Sequence, residues 1–200
     1  MTEIYDFQGG KGQAFTVLNP DERSYGCWCF FGEDEVGIKG HGPPQNKMDD
    51  TCRKLANCYK CSRIDSLMRD TKICSPRRID YLVDFNKAVN IGVLKTCTEN
   101  NPGDLCAAHS CSCEVDFIKS WMEIFFSSDN FDSSFHHDSW EHEVGCSAVA
   151  APPSVLDCCG IYPNRVPFDL GTVTECCGGR TLYNSEKIQC CEDGSLRHNC

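Results

Sequence analysis

The sequence predicts a disulfide-rich α+β protein, and three observations lead there. Eighteen of the 200 residues are cysteine, a density that belongs to disulfide scaffolds rather than to cytosolic thiol proteins. Two stretches carry apolar residues at helical spacing. One holds Cys52, Leu55, Ala56 and Tyr59, the other Val115, Ile118, Trp121, Met122 and Phe125. Towards the C-terminus cysteine doublets recur at Cys158-Cys159, Cys176-Cys177 and Cys190-Cys191, with short strand-like segments between them.

Charge and cysteine usage exclude several function classes. A formal net charge of −10 opposes binding to nucleic acid or anionic membranes, both of which ask for a Lys/Arg surplus. No apolar run approaches the ~20 residues of a spanning helix. The paired CxxC…CxxC and CxxC…HxxxH spacings of zinc sites are absent, so the cysteines read as disulfides formed in an oxidising, extracellular compartment. No cofactor is expected. The opening MTEIYDFQGG lacks a basic-then-apolar leader, so either the numbering starts at a mature chain or secretion is signalled elsewhere.

Taken in order, residues 1–20 hold no cysteine. Ile4, Tyr5 and Phe7 on one side, and Phe15 and Val17 on the other, flank the flexible Gly9-Gly10-Lys11-Gly12. Such an extended arm either packs on its own domain or adds as a strand to a neighbouring molecule. Residues 21–127 form the first domain. In it, a helix is expected from a cap at Asp50 through about Ile64, Pro76–Lys95 is helix or hairpin, Asn101-Pro102-Gly103 is a turn, and a second helix runs from Cys111 to Phe126.

Residues 128–157 read as a Ser/Asp/His-rich linker, and 158–200 as a di-cysteine repeat module. In the linker, His137 and Glu141, and Asp138 and His142, are four apart. With His136 they are either a site for zinc, copper or nickel or simply solvated. In the module, Thr181–Gln189 reads as strand, Asn-Ser turn, strand. Ten cysteines lie at or before Cys113 and eight after it, so each part can close its own set.

Tyr25-Gly26-Cys27-Trp28-Cys29, then Cys52 with Cys58-Tyr59, then Cys106-Ala-Ala-His-Ser-Cys111-Ser-Cys113-Glu114 resemble the secreted phospholipase A2 family. The family's motifs are YGCxCGxGG, CCxxHDxCY and C-x4-C-x-C-D. The resemblance implies a helical core of two antiparallel helices joined by a disulfide. It also implies the pairs Cys29–Cys52, Cys58–Cys113 and Cys97–Cys111, and Cys106 with Cys74 or Cys61. A family-like Cys27–Cys146 bridge would break the cysteine parity and lock the two parts together.

The catalytic positions depart from the family. Leu55 stands where the resemblance puts the general-base histidine, and Ala56 replaces the calcium-binding aspartate. Phe30 and Glu33 replace two loop glycines; only Gly32 remains. Hydrolysis by this route needs an imidazole to deprotonate water and a hard cation to polarise the ester, and neither leucine nor alanine supplies them. Glu114, at the position of the histidine-orienting aspartate, is expected as a carboxylate in the first turn of its helix, favoured by the dipole. His109 is a candidate displaced base. Asp49 and Asp50 either cap the helix or bind a surface calcium. The aromatics Trp28, Phe30 and Phe31 either fill the vacated channel or meet a partner.

The doublet region is similar to the di-cysteine repeats of galaxin-like extracellular matrix proteins. Together these readings predict a secreted, non-catalytic structural protein of an extracellular material: a fibre, a byssus-like thread, an egg coat or a shell matrix. It is expected to self-assemble through its arm as a homo-oligomer or filament, with other matrix proteins as further partners. The alternative is a secreted phospholipase A2-like protein that acts on lipid or binds a receptor, as a toxin does.

Overall fold

The computed structural model describes residues 24–30, 40–69, 73–127, 132–135, 145–146, 156–170 and 172–200. The arm residues Ile4, Tyr5, Phe7, Phe15 and Val17, as well as Phe31, Glu33, His136, His137 and His142, lie outside these residues. The chain is a disulfide-rich α+β protein in which helices form the core and small antiparallel strand pairs flank it.

A short hairpin opens the described chain, pairing β1 (Ser24–Tyr25) with β2 (Cys29–Phe30). Helix α1 then spans Lys47–Arg69. It begins three residues before Asp50 because Asn46 is the better-placed cap: its side-chain oxygen accepts the Asp49 N–H at 3.0 Å. Asp49 and Asp50 sit inside the first turn, where negative charge is stabilised by the helix N-terminus. The buried face carries Met48, Cys52, Leu55, Cys58, Tyr59 and Cys61, at the spacing a helix needs to present one stripe to a core.

Of the segment left open as helix or hairpin, residues 76–84 are turn and irregular chain and the rest, from Phe85 on, is helical. Asp84 caps α2 (Phe85–Ile91) by accepting the Lys87 N–H, and α3 (Val93–Asn100) follows directly. Gly92 joins the two at φ 137°, a conformation that side chains rarely adopt.

Helix α4 covers Leu105–Phe126, starting six residues before Cys111. The start is set by Asp104, which follows the Pro102-Gly103 turn and accepts the Ala107 N–H at 2.9 Å. α4 buries two sides. Phe117 and Trp121 join Tyr25, Leu55 and Tyr59 in the main core. Ala107, Cys111 and Val115 join Tyr81, Ala88 and Cys97 in a second core under α2 and α3. Thr51 and Leu55 meet Phe117 and Ser120, while Ser62 and Asp65 face Cys106 and His109; α1 and α4 are therefore antiparallel. Cys58–Cys113 ties them at mid-length.

The C-terminal part is three two-stranded hairpins. β3 (Leu156–Cys159) pairs with β4 (Val166–Asp169), β5 (Thr174–Cys177) with β6 (Thr181–Asn184), and β7 (Gln189–Cys190) with β8 (Leu196–Arg197). Of the two strands expected within Thr181–Gln189, the first is present as β6; residues 185–187 form a turn, and the second strand begins only at Gln189, as β7, and does not pair with β6. The Asn-Ser turn forms, with the Lys187 N–H donating to the Asn184 carbonyl at 3.0 Å, but it links two hairpins: the first two doublets end β3 and β5 and the third straddles the end of β7, so β6 folds back on β5 and β7 reaches forward to β8. Cys159–Cys176, Cys177–Cys190 and Cys191–Cys200 then join each doublet to the next cysteine along.

Two bridges cross between the parts, Cys27–Cys146 and Cys61–Cys158. Because there are two, eight of the first ten cysteines and six of the last eight still pair among themselves. The first hairpin is packed onto α1, with Cys158 and Tyr162 buried in the main core.

Candidate functional site

The site is built where α1, α4 and the Tyr25–Cys29 loop meet. α1 turns Leu55 inward, 2% exposed, and leaves Ala56 half-buried beside it. The void beside Leu55 is about 10 Å³, bounded by Thr51, Lys54, Phe117, Ser120 and Pro163. That is room for about one water molecule and for no acyl chain. Pro163 lies in the turn of the first C-terminal hairpin, so the hairpin closes the groove above Leu55. No proton acceptor lies at Leu55 or Ala56 themselves.

Glu114 is not in the first turn of its helix. With α4 starting at Leu105, it falls in mid-helix and is fully buried. Tyr59 donates its hydroxyl to Glu114 Oε1 at 2.7 Å, and Tyr81 donates to Oε2. Burial pushes the Glu114 carboxyl up from 4.5 to about 7, against the two phenol hydrogen bonds, which hold it down. The same burial, with the neighbouring carboxylate, pushes both tyrosines well above their usual value. This triad joins α1, the segment before α2, and α4 through one carboxylate. Sealed from solvent, it is a structural knot.

The Tyr25–Cys29 loop is held by Asp49, a role that sequence reasoning missed. The Asp49 carboxylate is buried and accepts three backbone N–H groups, from Cys27 at 2.9 Å, Trp28 at 2.7 Å and Gln45 at 2.9 Å. Its oxygens are thus engaged by the loop. Gly26 makes the approach possible: at φ 59°, a Cβ there would lie 2.5 Å from the Asp49 carboxyl carbon. The signal lay in Asn46-x-x-Asp49, a capping pattern that fixes Asp49 at the helix start. Asp50 instead pairs with Arg53 and Lys54 on the surface. Trp28 is half-buried against the main core, and its indole N–H donates to the Gly42 carbonyl at 3.0 Å. Phe30 is the last residue of β2.

His109 stands in a different place. It lines a cavity of about 490 Å³ between α1, residues 73–79 and the start of α4, together with Asp65, Arg78 and Asp104. Its ring stacks on Tyr162 with centroids 3.7 Å apart. Tyr162 donates to Asp65 at 2.8 Å, and Arg165 grips both oxygens of Asp65 at 2.7 and 2.9 Å. This largely buried fork anchors the first hairpin to α1, with the planar bidentate geometry that favours arginine. Among the described residues no group of three or more His, Cys, Asp or Glu is placed to hold a metal ion. No described helix is long and apolar enough to cross a membrane.

The remaining predicted positions are the cysteines. Cys29 is joined to Cys52, Cys58 to Cys113, Cys97 to Cys111 and Cys106 to Cys74. No protein-family model, curated protein or solved structure matches this chain.

Proposed function

We propose that this chain is a secreted, non-catalytic structural protein of an extracellular material, built on a phospholipase A2-like scaffold whose chemistry has been replaced by packing. The observation that carries the reading is Leu55. It stands at the position of the base, is almost wholly buried, and borders a void of about 10 Å³ capped by Pro163. Four disulfides that the resemblance implies are formed, which supports the scaffold. The doublet hairpins, with every cysteine bridged, support the material: crosslinks at this density suit a protein that must outlast proteases and force outside the cell. Assembly is assigned to the arm at residues 1–20, whose apolar segments suit strand addition.

The test is a mixed-micelle assay with millimolar calcium. No fatty-acid release above background is expected. Calcium-stimulated release that a chelator abolishes would overturn the reading. One observation favours the lipid- or receptor-binding alternative: Ile73 and Leu105, about half exposed, stand at the wall of the 490 Å³ cavity. Tight binding to phosphatidylcholine vesicles without hydrolysis would turn the assignment towards it.

A further inference from the structure

The order in which the cysteines are bridged has a mechanical consequence. From Cys158 onwards the bridges run in single file. Cys158 is next to Cys159, which bonds Cys176; Cys176 is next to Cys177, which bonds Cys190; Cys190 is next to Cys191, which bonds Cys200. A covalent route therefore crosses 158–200 using three peptide bonds between doublet partners and three disulfides. The bridged Cα pairs are 5.4 to 5.6 Å apart. Stretched fully, this route is about 28 Å long, against about 140 Å for the same residues as a plain extended chain. Residues 160–175, 178–189 and 192–199 hang beside it as loops.

The route continues into the helical core, where it is doubled. From Cys27, one branch passes through Cys27–Cys146 and then twelve peptide steps to Cys158. The other takes two steps to Cys29, crosses to Cys52, follows nine steps of α1 to Cys61, and crosses to Cys158. Fully drawn out, each branch is limited to roughly 50 Å. Their limits nearly coincide, so one branch carries the tension if the other is cut.

We propose that these bridges give the chain a second function, as a tension-carrying covalent shunt from Cys27 to Cys200 that keeps pulling forces off the loops of its C-terminal hairpins and off α2, α3 and α4. Under tension the elements beside the shunt can open without lengthening the molecule. The inference takes from the proposed function only the source of the tension. It concerns single molecules, so its failure and the failure of assembly are separately visible.

The experiment is single-molecule force spectroscopy on the full-length oxidised chain, pulled from its two ends. Between Cys27 and Cys200 the fully stretched length is expected to stay under about 80 Å, and reductant is expected to add about 500 Å. Replacing both members of a pair by serine separates the routes. Removing Cys61–Cys158 alone, or Cys27–Cys146 alone, is expected to add nothing measurable. Removing both pairs adds roughly 150 Å, because the next route runs through Cys58–Cys113. Removing Cys177–Cys190, where no parallel route exists, adds about 40 Å. Should a variant fail to fold, the unmodified chain with and without reductant still decides. Oxidised chains that lengthen by hundreds of ångströms would overturn the shunt, as would a large gain from either single branch.

Discussion

Reduction of the nine disulfides is expected to unfold the chain at 25 °C, whereas chelation leaves it folded. Each bridge contributes about 2–4 kcal/mol, much of it by restricting the unfolded chain. A domain keeps only about 5–15 kcal/mol of net stability. The loss of even a few bridges therefore exceeds what remains. Cys27–Cys146 and Cys61–Cys158 close the longest loops, with separations of 119 and 97 residues, and the loop-entropy argument weights them most. The C-terminal part, from Leu156 on, depends on its bridges further, because every described sheet there is a lone two-stranded hairpin, and such hairpins are marginal in water. Circular dichroism under reductant, and separately under EDTA, checks this. A reduced chain that still melts cooperatively would contradict it, as would collapse under EDTA alone.

The second large effect is a pH dependence centred on Glu114. Its carboxyl is raised to about 7 in the folded protein, from 4.5, so the native state holds this proton more tightly than the unfolded chain does. The resulting stability is fully present below about pH 4.5 and is lost as pH rises through about 7. At about 1.4 kcal/mol per unit, the window is worth about 3 kcal/mol. Wild type is thus expected to lose about that much more than Glu114→Gln between pH 5 and pH 8, in denaturant melts read at both values. The glutamine variant keeps an acceptor for a tyrosine hydroxyl and does not titrate. Identical pH slopes for the two proteins would refute the assignment.

The cysteine spacing and helical stripes carried the architecture into the sequence. A buried helix face needs apolar residues at i, i+3 and i+4, and Cys52, Leu55, Ala56 and Tyr59 show that pattern plainly. Helix starts were harder to read. Asp50 is a strong cap by residue type, but Asn46 captures the Asp49 N–H first, and a cap is decided by geometry across four residues rather than by one letter. Asp104 is the same case, a cap just after a Pro-Gly turn that extended α4 by two turns and carried Glu114 into the interior.

Strand pairing within the doublet region was illegible for another reason. The Asn-Ser turn is a local signal, while the pairing is set by which cysteines bond, and connectivity cannot be read from spacing. The Asp65–Arg165–Tyr162 anchor joins residues about a hundred apart and left no local trace. Pro163 closing the space at Leu55 is equally non-local; the sequence showed only that Leu55 lies on an apolar helix face.

On the proposed function, this chain builds material rather than turning over a substrate. Sedimentation of the full-length protein beside a chain lacking residues 1–19 tests it most directly. The full-length protein is expected to form concentration-dependent, open-ended assemblies, since a head-to-tail contact does not close on itself. The shortened chain is predicted to stay folded, soluble and monomeric. A full-length protein that remains a monomer at every concentration would contradict assembly through the arm, and so would a shortened chain that assembles as well as the whole.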